Sequence, residues 1–261
     1  MRPASIEDAA ELLAAAAREG RRVRIGTDLE TDGLARILEH EAGDLTCTVE
    51  AGMRLSALGT ALARAGQRLS LDPPGDPTVG ACLARRLSGP LSHRYGSPRD
   101  LVLGVTLVLG DGTVASSGGK VVKNVAGYDL AKLVCGSEGR LGLIARVALR
   151  LHPLPPSSAT IVVETDEPAH VVRALRLSQL QPSAIDVLHP GRVAVLFEGR
   201  AAAVEAQLGV YGRCLDQSWQ RALDPLVMQQ RAARWIGDRG MSDHQLFGAE
   251  AERFAPELQA L

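Results

Sequence analysis

Residues 118–130 read GGKVVKNVAGYDL, and a second glycine-rich stretch, GSEGRLGLI, follows at residues 136–144. All three lysines of the chain and its single asparagine lie between Lys120 and Lys132, whereas the remaining basic residues are 26 arginines. Lysine is a compact point charge on a flexible stem, and arginine is a planar fork. An asparagine among glycines favours turns or uses its one amide as donor and acceptor. The cluster therefore indicates positions at which arginine cannot replace lysine. Chance clustering is the less favoured explanation.

The overall composition is that of an ordinary globular protein. The chain has 261 residues, of which 46% are hydrophobic and 23% charged, so it can form one large domain or two smaller ones. A net charge of −1 and an aromatic content of 3% give no reason to expect a nucleic-acid partner. No apolar run approaches the roughly 20 residues that span a bilayer, so we expect no transmembrane segment.

The cysteines indicate a reducing compartment. Cys47, Cys82, Cys135 and Cys214 are widely spaced and form no CxxC pair, so we expect reduced thiols and no metal site. The N-terminus is alanine-rich and carries acids, unlike a signal peptide. We therefore expect a cytoplasmic location.

Helices and strands alternate in the first part of the chain. Ser5, followed by Ile6, Glu7 and Asp8, is typical of a helix N-cap with acids in the first turn, and predicts a helix to about Glu19. Apolar alternation bounded by glycines predicts the other elements. These are strands at 23–25, 45–49, 101–109, 114–116 and 141–151, a hairpin turn at 110–112, a helix at 56–65 and a short helix at 81–86.

Residues 152–156, HPLPP, form the clearest predicted linker, because neither a helix nor a central strand tolerates that many prolines. After it, the pattern predicts a strand at 160–164, a helix at 168–179, strands at 185–188 and 193–198, and a helix at 201–211. This β-α-β-β-α order is most of a split βαβ unit. We therefore predict an α+β protein with domains at 1–152 and 157–261.

Three glycine-rich loops, at 74–80, 118–127 and 136–142, indicate a ligand cradle. Glycines let the backbone approach a ligand closely and let successive N–H groups converge on a phosphate or a carbonyl. None of the loops is a GxGxxG after a strand or a Walker A loop, so a Rossmann or P-loop interpretation is poor. Each loop alone would more often be a plain turn, but three of them flanking one sheet favour binding.

The strings at 118–130 and 136–144, with SGP at 88–90, YGSPRDLVLG at 95–104 and FEG at 197–199, resemble the FAD-binding subunit of bacterial glycolate oxidase (the GlcE type). That family belongs to the PCMH-type, vanillyl-alcohol-oxidase-like flavoproteins, and the resemblance covers roughly residues 1–215. It implies an FAD-binding domain of two α+β subdomains followed by a truncated ferredoxin-like cap. It also implies FAD as cofactor.

The resemblance implies which residues contact the flavin nucleotide. The implied cofactor-binding residues are Pro77, Thr78, Val79, Gly80, Ser88, Gly89, Gly139, Gly142 and Ile144. The signature residues Lys120, Lys123, Asn124, Tyr128 and Asp129 match the family without an individual role, and either bind the ligand or brace the subdomain or a partner. No catalytic residue is assigned, since the nearby His93 and His152 are more often structural at such positions.

The chain departs from the family at its first loop. The family has a glycine-rich loop there that embraces the FAD diphosphate, whereas residues 24–30 read RIGTDLE, with one glycine and two acids. Carboxylates at that place would repel a diphosphate. The arginine pair Arg85 and Arg86 would compensate by binding phosphate, or would only solvate a helix face.

Three hypotheses of function remain. In the first, the chain is the FAD-binding accessory subunit of a 2-hydroxy-acid dehydrogenase complex, an oxidoreductase that passes electrons from the substrate through the flavin to an iron–sulfur partner. Its partners would be that subunit and a sibling FAD-containing catalytic subunit, and any association with the inner membrane would be made through them. In the second, the chain is a degenerate, FAD-free structural subunit of the same complex. A stand-alone flavin oxidoreductase is the third and weakest.

Overall fold

The computed structural model describes residues 1–119 and 130–214. This part of the chain forms two compact units. The first unit comprises Met1–Leu71, Asp76–Ser88 and Gly96–Leu154, and the second comprises Asp72–Gly75, Gly89–Tyr95 and the described part of Pro155–Leu261. The predicted division into 1–152 and 157–261 stays a prediction.

The elements alternate between helices and strands, as an α+β protein requires. The strands are β1 (Ile37–Glu41), β2 (Thr46–Glu50), β3 (Gln67–Arg68), β4 (Val102–Val108), β5 (Val114–Gly118), β6 (Leu143–Arg150), β7 (His152–Pro153), β8 (Ser157–Glu164), β9 (Ala184–Leu188) and β10 (Arg192–Gly199). The helices are α1 (Ile6–Arg18), α2 (Leu55–Ala63), α3 (Val79–Arg85), α4 (Ser92–Tyr95), α5 (Pro98–Leu101), α6 (Leu130–Val134), α7 (Pro168–Leu177) and α8 (Ala201–Cys214).

The first unit is built on an antiparallel sheet with the strand order β1-β2-β6-β4-β5. Strand β6 lies at its centre, and its first three residues are all buried. The β4–β5 hairpin turns where the sequence predicts it: Gly112 has a φ of 87°, and Asp111 accepts the Thr113 N–H at 2.9 Å. Small and polar turn residues thus fix the register of this hairpin.

One hydrophobic core cluster of this unit lies among the sheet and the helices α2, α3 and α6, and its largest fully buried side chains include Leu58, Leu62, Leu83 and Leu149. Helix α1 packs in a separate cluster with Val108 and Leu143. The Ser5 hydroxyl accepts the Asp8 N–H at 3.0 Å, which confirms the predicted N-cap.

The segment from Glu50 to Met53 joins the sheet to the rest of this unit. Glu50, whose side chain is 1% exposed, forms an ion pair with Arg36 at 2.8 Å. Because the Arg36 guanidinium donates hydrogen bonds to it, the pKa of the Glu50 carboxyl lies below its usual value. The carbonyls of Ala51 and Met53 accept the N–H groups of Gly80 at 2.7 Å and Val79 at 2.9 Å. The end of β2 therefore sets the position of helix α3.

Some predicted elements differ from those observed. Residues 23–25 form no strand, and Ile25 makes only an isolated bridge to Leu29 within a turn. Strand β1 was not predicted, because its sequence ILEHE is mostly polar and pairing with β2 makes it a strand. The predicted linker contains β7, which pairs with β3 and not with the central sheet.

The second unit has a three-stranded antiparallel sheet with the order β8-β10-β9. Its elements follow the predicted β-α-β-β-α order. One face of the sheet packs on α7 and α8 through Val171, Val195, Phe197 and Val204, all of them buried. This is the arrangement expected of a truncated ferredoxin-like cap.

A Gly52→Ala substitution tests whether the Glu50–Met53 segment organises the first unit. An added Cβ would overlap the carbonyl oxygen of Thr31 and lie 2.7 Å from that of Leu34. We expect the free energy of unfolding, measured with urea, to fall by about 1–3 kcal/mol or more. The matched control is Gly59→Ala inside α2, where nothing lies within 4 Å and alanine should stabilise by about 1 kcal/mol. Equal stability of Gly52→Ala and wild type would contradict this role.

Candidate functional site

A cleft of about 490 Å³ opens in the first unit. Its volume lies within the range of about 300–1,000 Å³ that is usual for ligand sites. Three parts of the chain form its walls, namely the turn after residue 24, helix α3 with its flanks, and the loop before β6. The lining residues are Ile25, Gly26, Thr31, Thr78, Gly80, Ala81, Ala84, Arg85, Leu87, Glu138, Gly139, Gly142, Leu143 and Ile144.

Helix α3 forms the second wall, and its start lies directly on the sheet. The Thr78 hydroxyl caps the helix by accepting the Ala81 N–H at 3.2 Å. A Cβ on Gly80 would lie 2.9 Å from the Ala51 Cβ, closer than real side chains approach. Glycine at this position therefore lets the helix pack against the end of β2 while its outer side lines the cleft.

The loop before β6 forms the third wall and is hydrogen-bonded to the end of α3. The N–H groups of Gly136 and Glu138 donate to the carbonyls of Leu83 at 2.9 Å and Ala84 at 2.8 Å. Gly139 and Gly142 have φ angles of 75° and 146°, which L side chains rarely adopt. Within residues 1–119 and 130–214, the N–H groups of these two glycines donate no hydrogen bond. They are available to a ligand in the cleft.

The turn that forms the first wall is hydrogen-bonded to itself. Five consecutive N–H groups, from Gly26 to Glu30, donate to carbonyl oxygens of the protein at distances of 2.8 to 3.3 Å. Three of them share the carbonyl of Arg24, and the last donates to Met1. None of the backbone N–H groups from Gly26 to Glu30 is therefore available to bind an anion.

The two acids of this turn do not line the cleft. Asp28 accepts the Arg24 backbone N–H at 2.9 Å and pairs with its guanidinium at 3.2 Å, and Glu30 pairs with Arg2 at 2.5 Å. The hydrogen bond from the Arg24 side chain lowers the pKa of the Asp28 carboxyl. The expected repulsion of a diphosphate is therefore offset, because each carboxylate is paired with its own arginine.

The structure brings together five of the nine residues predicted to bind the cofactor. Those that line the cleft are Thr78, Gly80, Gly139, Gly142 and Ile144. Those that do not are Pro77, Val79, Ser88 and Gly89. The predicted signature residues Lys120, Lys123, Asn124, Tyr128 and Asp129 lie outside the described residues.

Two of the predicted residues that do not line the cleft, Val79 and Gly89, are instead packed within the protein. Val79 is fully buried in the core. Gly89 belongs to the second unit, where a Cβ on it would overlap the carbonyl of Asp72. In the same unit, Tyr95 donates to Glu198 at 2.9 Å. Two strings that carry the resemblance, at 95–104 and 197–199, are thereby joined.

The sequence did not predict most of the apolar residues that line the cleft. Ile25, Leu87 and Leu143 line the cleft, but isolated aliphatic residues give no pattern that marks a ligand site. The sequence indicates the pair Arg85 and Arg86 as candidates for phosphate binding, and only Arg85 lines the cleft. Cys82 is a residue of α3 whose side chain is buried in the core, and burial raises the pKa of its thiol to about 12, so little nucleophilic thiolate forms near neutral pH.

Residues 1–118 match the sequence family described as an FAD binding domain. The chain is 33% identical over 192 residues to the glycolate oxidase subunit GlcE of Escherichia coli (strain K12), a match that covers 71% of this chain and 55% of that protein. It is also 33% identical over 166 residues to the mitochondrial D-lactate dehydrogenase (cytochrome) of Arabidopsis thaliana, covering 62% of this chain and 29% of that one.

A solved structure of alkyldihydroxyacetonephosphate synthase is similar with a TM-score of 0.68 and 18% sequence identity. It covers 84% of this chain and 50% of that one, and at this identity the likeness concerns the fold alone. The chain thus spans about half the length, or less, of the relatives named here.

The fold is that of the PCMH-type FAD-binding proteins. Residues 1–118 form a domain of the FAD binding domain family, and this match together with the FAD-linked relatives supports FAD as the cofactor. Among the described residues, no helix is both long and apolar enough to cross a membrane.

The cleft fits FAD in two of its three walls. Gly139 and Gly142 line it with available N–H groups, and Arg85 supplies a positive charge. The turn at Gly26 is the exception, because its N–H groups are already occupied. Binding must therefore depend on α3 and on the loop before β6.

An Asp28→Ala substitution should open the turn. The carboxylate holds the turn closed through Arg24, so we expect amide hydrogen exchange at Gly26 to Leu29, measured by NMR, to be several-fold faster. Because the folded-state pKa is lowered, this stabilisation is present above the usual Asp pKa of about 3.9 and is lost as the pH falls through the lower folded value. Asp32→Ala, at an exposed position nearby, is the control. Unchanged exchange in Asp28→Ala would show that the backbone alone closes the turn.

Proposed function

We propose that the chain is the FAD-binding accessory subunit of a glycolate-oxidase-type 2-hydroxy-acid dehydrogenase. In this proposal the complex is an FAD-dependent oxidoreductase that passes electrons from the substrate through the flavin to an iron–sulfur partner subunit. The observation that carries the proposal is the glycine-lined cleft in a domain of the FAD-binding family. The match to a protein named glycolate oxidase subunit GlcE supports the substrate class and the subunit role.

The residues of the cleft would bind and orient the cofactor. Bound FAD supplies two-electron transfer, and the protein contributes position and electrostatics. Gly139 and Gly142 would donate their N–H groups to polar atoms of the nucleotide. Ile25, Leu143 and Ile144 would cover apolar parts of the ligand and exclude water. No side chain of the cleft is assigned a catalytic role.

The proposed assembly contains two further components. One is a sibling subunit that carries its own FAD and performs the oxidation, and the other is the iron–sulfur subunit that accepts the electrons. The match to glycolate oxidase subunit GlcD of Bacillus subtilis, 32% identical over 162 residues, supports kinship with such a sibling. We place the complex in the cytoplasm, with contact to the inner membrane made only through the partners.

A second function is favoured by one observation. The occupied N–H groups from Gly26 to Glu30 are what a degenerate, FAD-free structural subunit would have. In that case the cleft would be a remnant, and the chain would serve the assembly of the same complex.

The visible spectrum of the purified full chain separates the two. The proposed function predicts flavin absorption at close to one FAD per chain, alone or with the partners. It also predicts bleaching of the complex under anaerobic conditions on addition of glycolate or D-lactate, because a 2-hydroxy acid would reduce the flavin. A colourless chain that takes up no added FAD, with or without the partners, would reject the proposal in favour of the structural subunit. Acetate, which has the carboxylate of glycolate but lacks its 2-hydroxyl group, is the control ligand for bleaching.

A further inference from the structure

Arg85 is the positively charged side chain among the described lining residues of the cleft. It is the last residue of α3, it is exposed, and it lines the cleft. Within residues 1–119 and 130–214 its side chain makes no ion pair and no hydrogen bond. The one acid among the described lining residues, Glu138, is paired with Arg140 at 2.9 Å. The charges of the described lining therefore leave Arg85 available to an anion.

The backbone of the first turn and of the start of α3 offers little to an anion. The N–H groups of Val79, Gly80 and Ala81 at the start of α3 all donate within the protein, at 2.7 to 3.2 Å. Those from Gly26 to Glu30 do the same. Of the described walls, the loop before β6 still offers the N–H groups of Gly139 and Gly142. These groups carry no net charge, so a bound diphosphate also needs a cationic side chain to offset its charge.

We propose that Arg85 binds the diphosphate of FAD in this chain, in place of a backbone loop at Gly26. The proposal rests on the FAD binding in the proposed function and adds the residue that provides the charge. The guanidinium is a planar fork that can donate two parallel hydrogen bonds to phosphate oxygens. An exposed arginine without an internal partner can turn to the ligand without breaking a contact of the folded protein.

The neighbouring arginine provides a matched control. Arg86 has a left-handed backbone with a φ of 55°, which ends the helix, and it does not line the cleft. Arg85→Gln and Arg86→Gln remove the same charge one residue apart. Only the first variant removes it from the cleft. Any effect of net charge alone must therefore appear in both.

The experiment measures the dissociation constant of FAD for the full apo chain by titration, following flavin fluorescence. Charged hydrogen bonds are worth enough that we expect Arg85→Gln to weaken binding about 10- to 100-fold. Arg86→Gln should change it less than about twofold. Arg85→Lys should lie in between, because it keeps the charge and loses the fork. Thermal unfolding of the apo proteins should be nearly the same for all, since within the described residues neither Arg85 nor Arg86 has an ion pair or a side-chain hydrogen bond to lose.

A second titration places the effect on the diphosphate. ADP carries the diphosphate and adenosine does not, so Arg85→Gln should weaken competition by ADP and leave competition by adenosine unchanged. Equal FAD affinity in Arg85→Gln and wild type, or equal losses in Arg85→Gln and Arg86→Gln, would overturn the role of Arg85 while leaving the proposed function intact. A wild-type chain that binds no FAD, either alone or together with its partners, would overturn both.

Discussion

The backbone of Ala51 is the point on which the first unit depends. Its N–H donates to the carbonyl of Ala145 in the central strand at 2.9 Å, and its carbonyl accepts the N–H of Gly80 at 2.7 Å. One residue thereby fixes both the sheet and the start of α3. Gly52 beside it has no side chain, which allows the carbonyls of Thr31 and Leu34 to approach. Because backbone packs directly on backbone at the end of β2, glycine is required at Gly52 and Gly80.

The turn from Arg24 to Glu30 carries two acids where the related family has a glycine-rich loop, and the charges of both acids are compensated within the protein. In the turn from Arg24 to Glu30, each acid is paired with an arginine and each N–H from Gly26 onward is occupied. The turn is stable by itself and neither attracts nor strongly repels an anion. Binding of a charged nucleotide then depends on a side chain elsewhere in the cleft, and the structure leaves Arg85 available for it.

Local patterns predicted much of the fold and part of the site. The Ser5 cap, the hairpin at Gly112 and the strands of the second unit follow from residue types at short range, because capping and turn formation involve neighbours in sequence. Strand β1 could not be predicted, because its polar sequence becomes a strand only by pairing with β2. In the cleft, glycine-rich strings indicated Gly80, Gly139 and Gly142, while Ile25 and Leu87 had no local pattern.

The sequence by itself indicated the resemblance to a flavoprotein family, through long unusual strings such as the one from Gly118 to Leu130, and much of the order of helices and strands. It also marked an arginine pair and a loop with two acids as departures. Only the tertiary structure decided which arginine lines the cleft, since the left-handed residue Arg86 ends the helix there. Only the tertiary structure also shows that the carboxylates of Asp28 and Glu30 are each paired with an arginine. Such pairing depends on distances between residues as far apart in sequence as Arg2 and Glu30, which no local pattern reports.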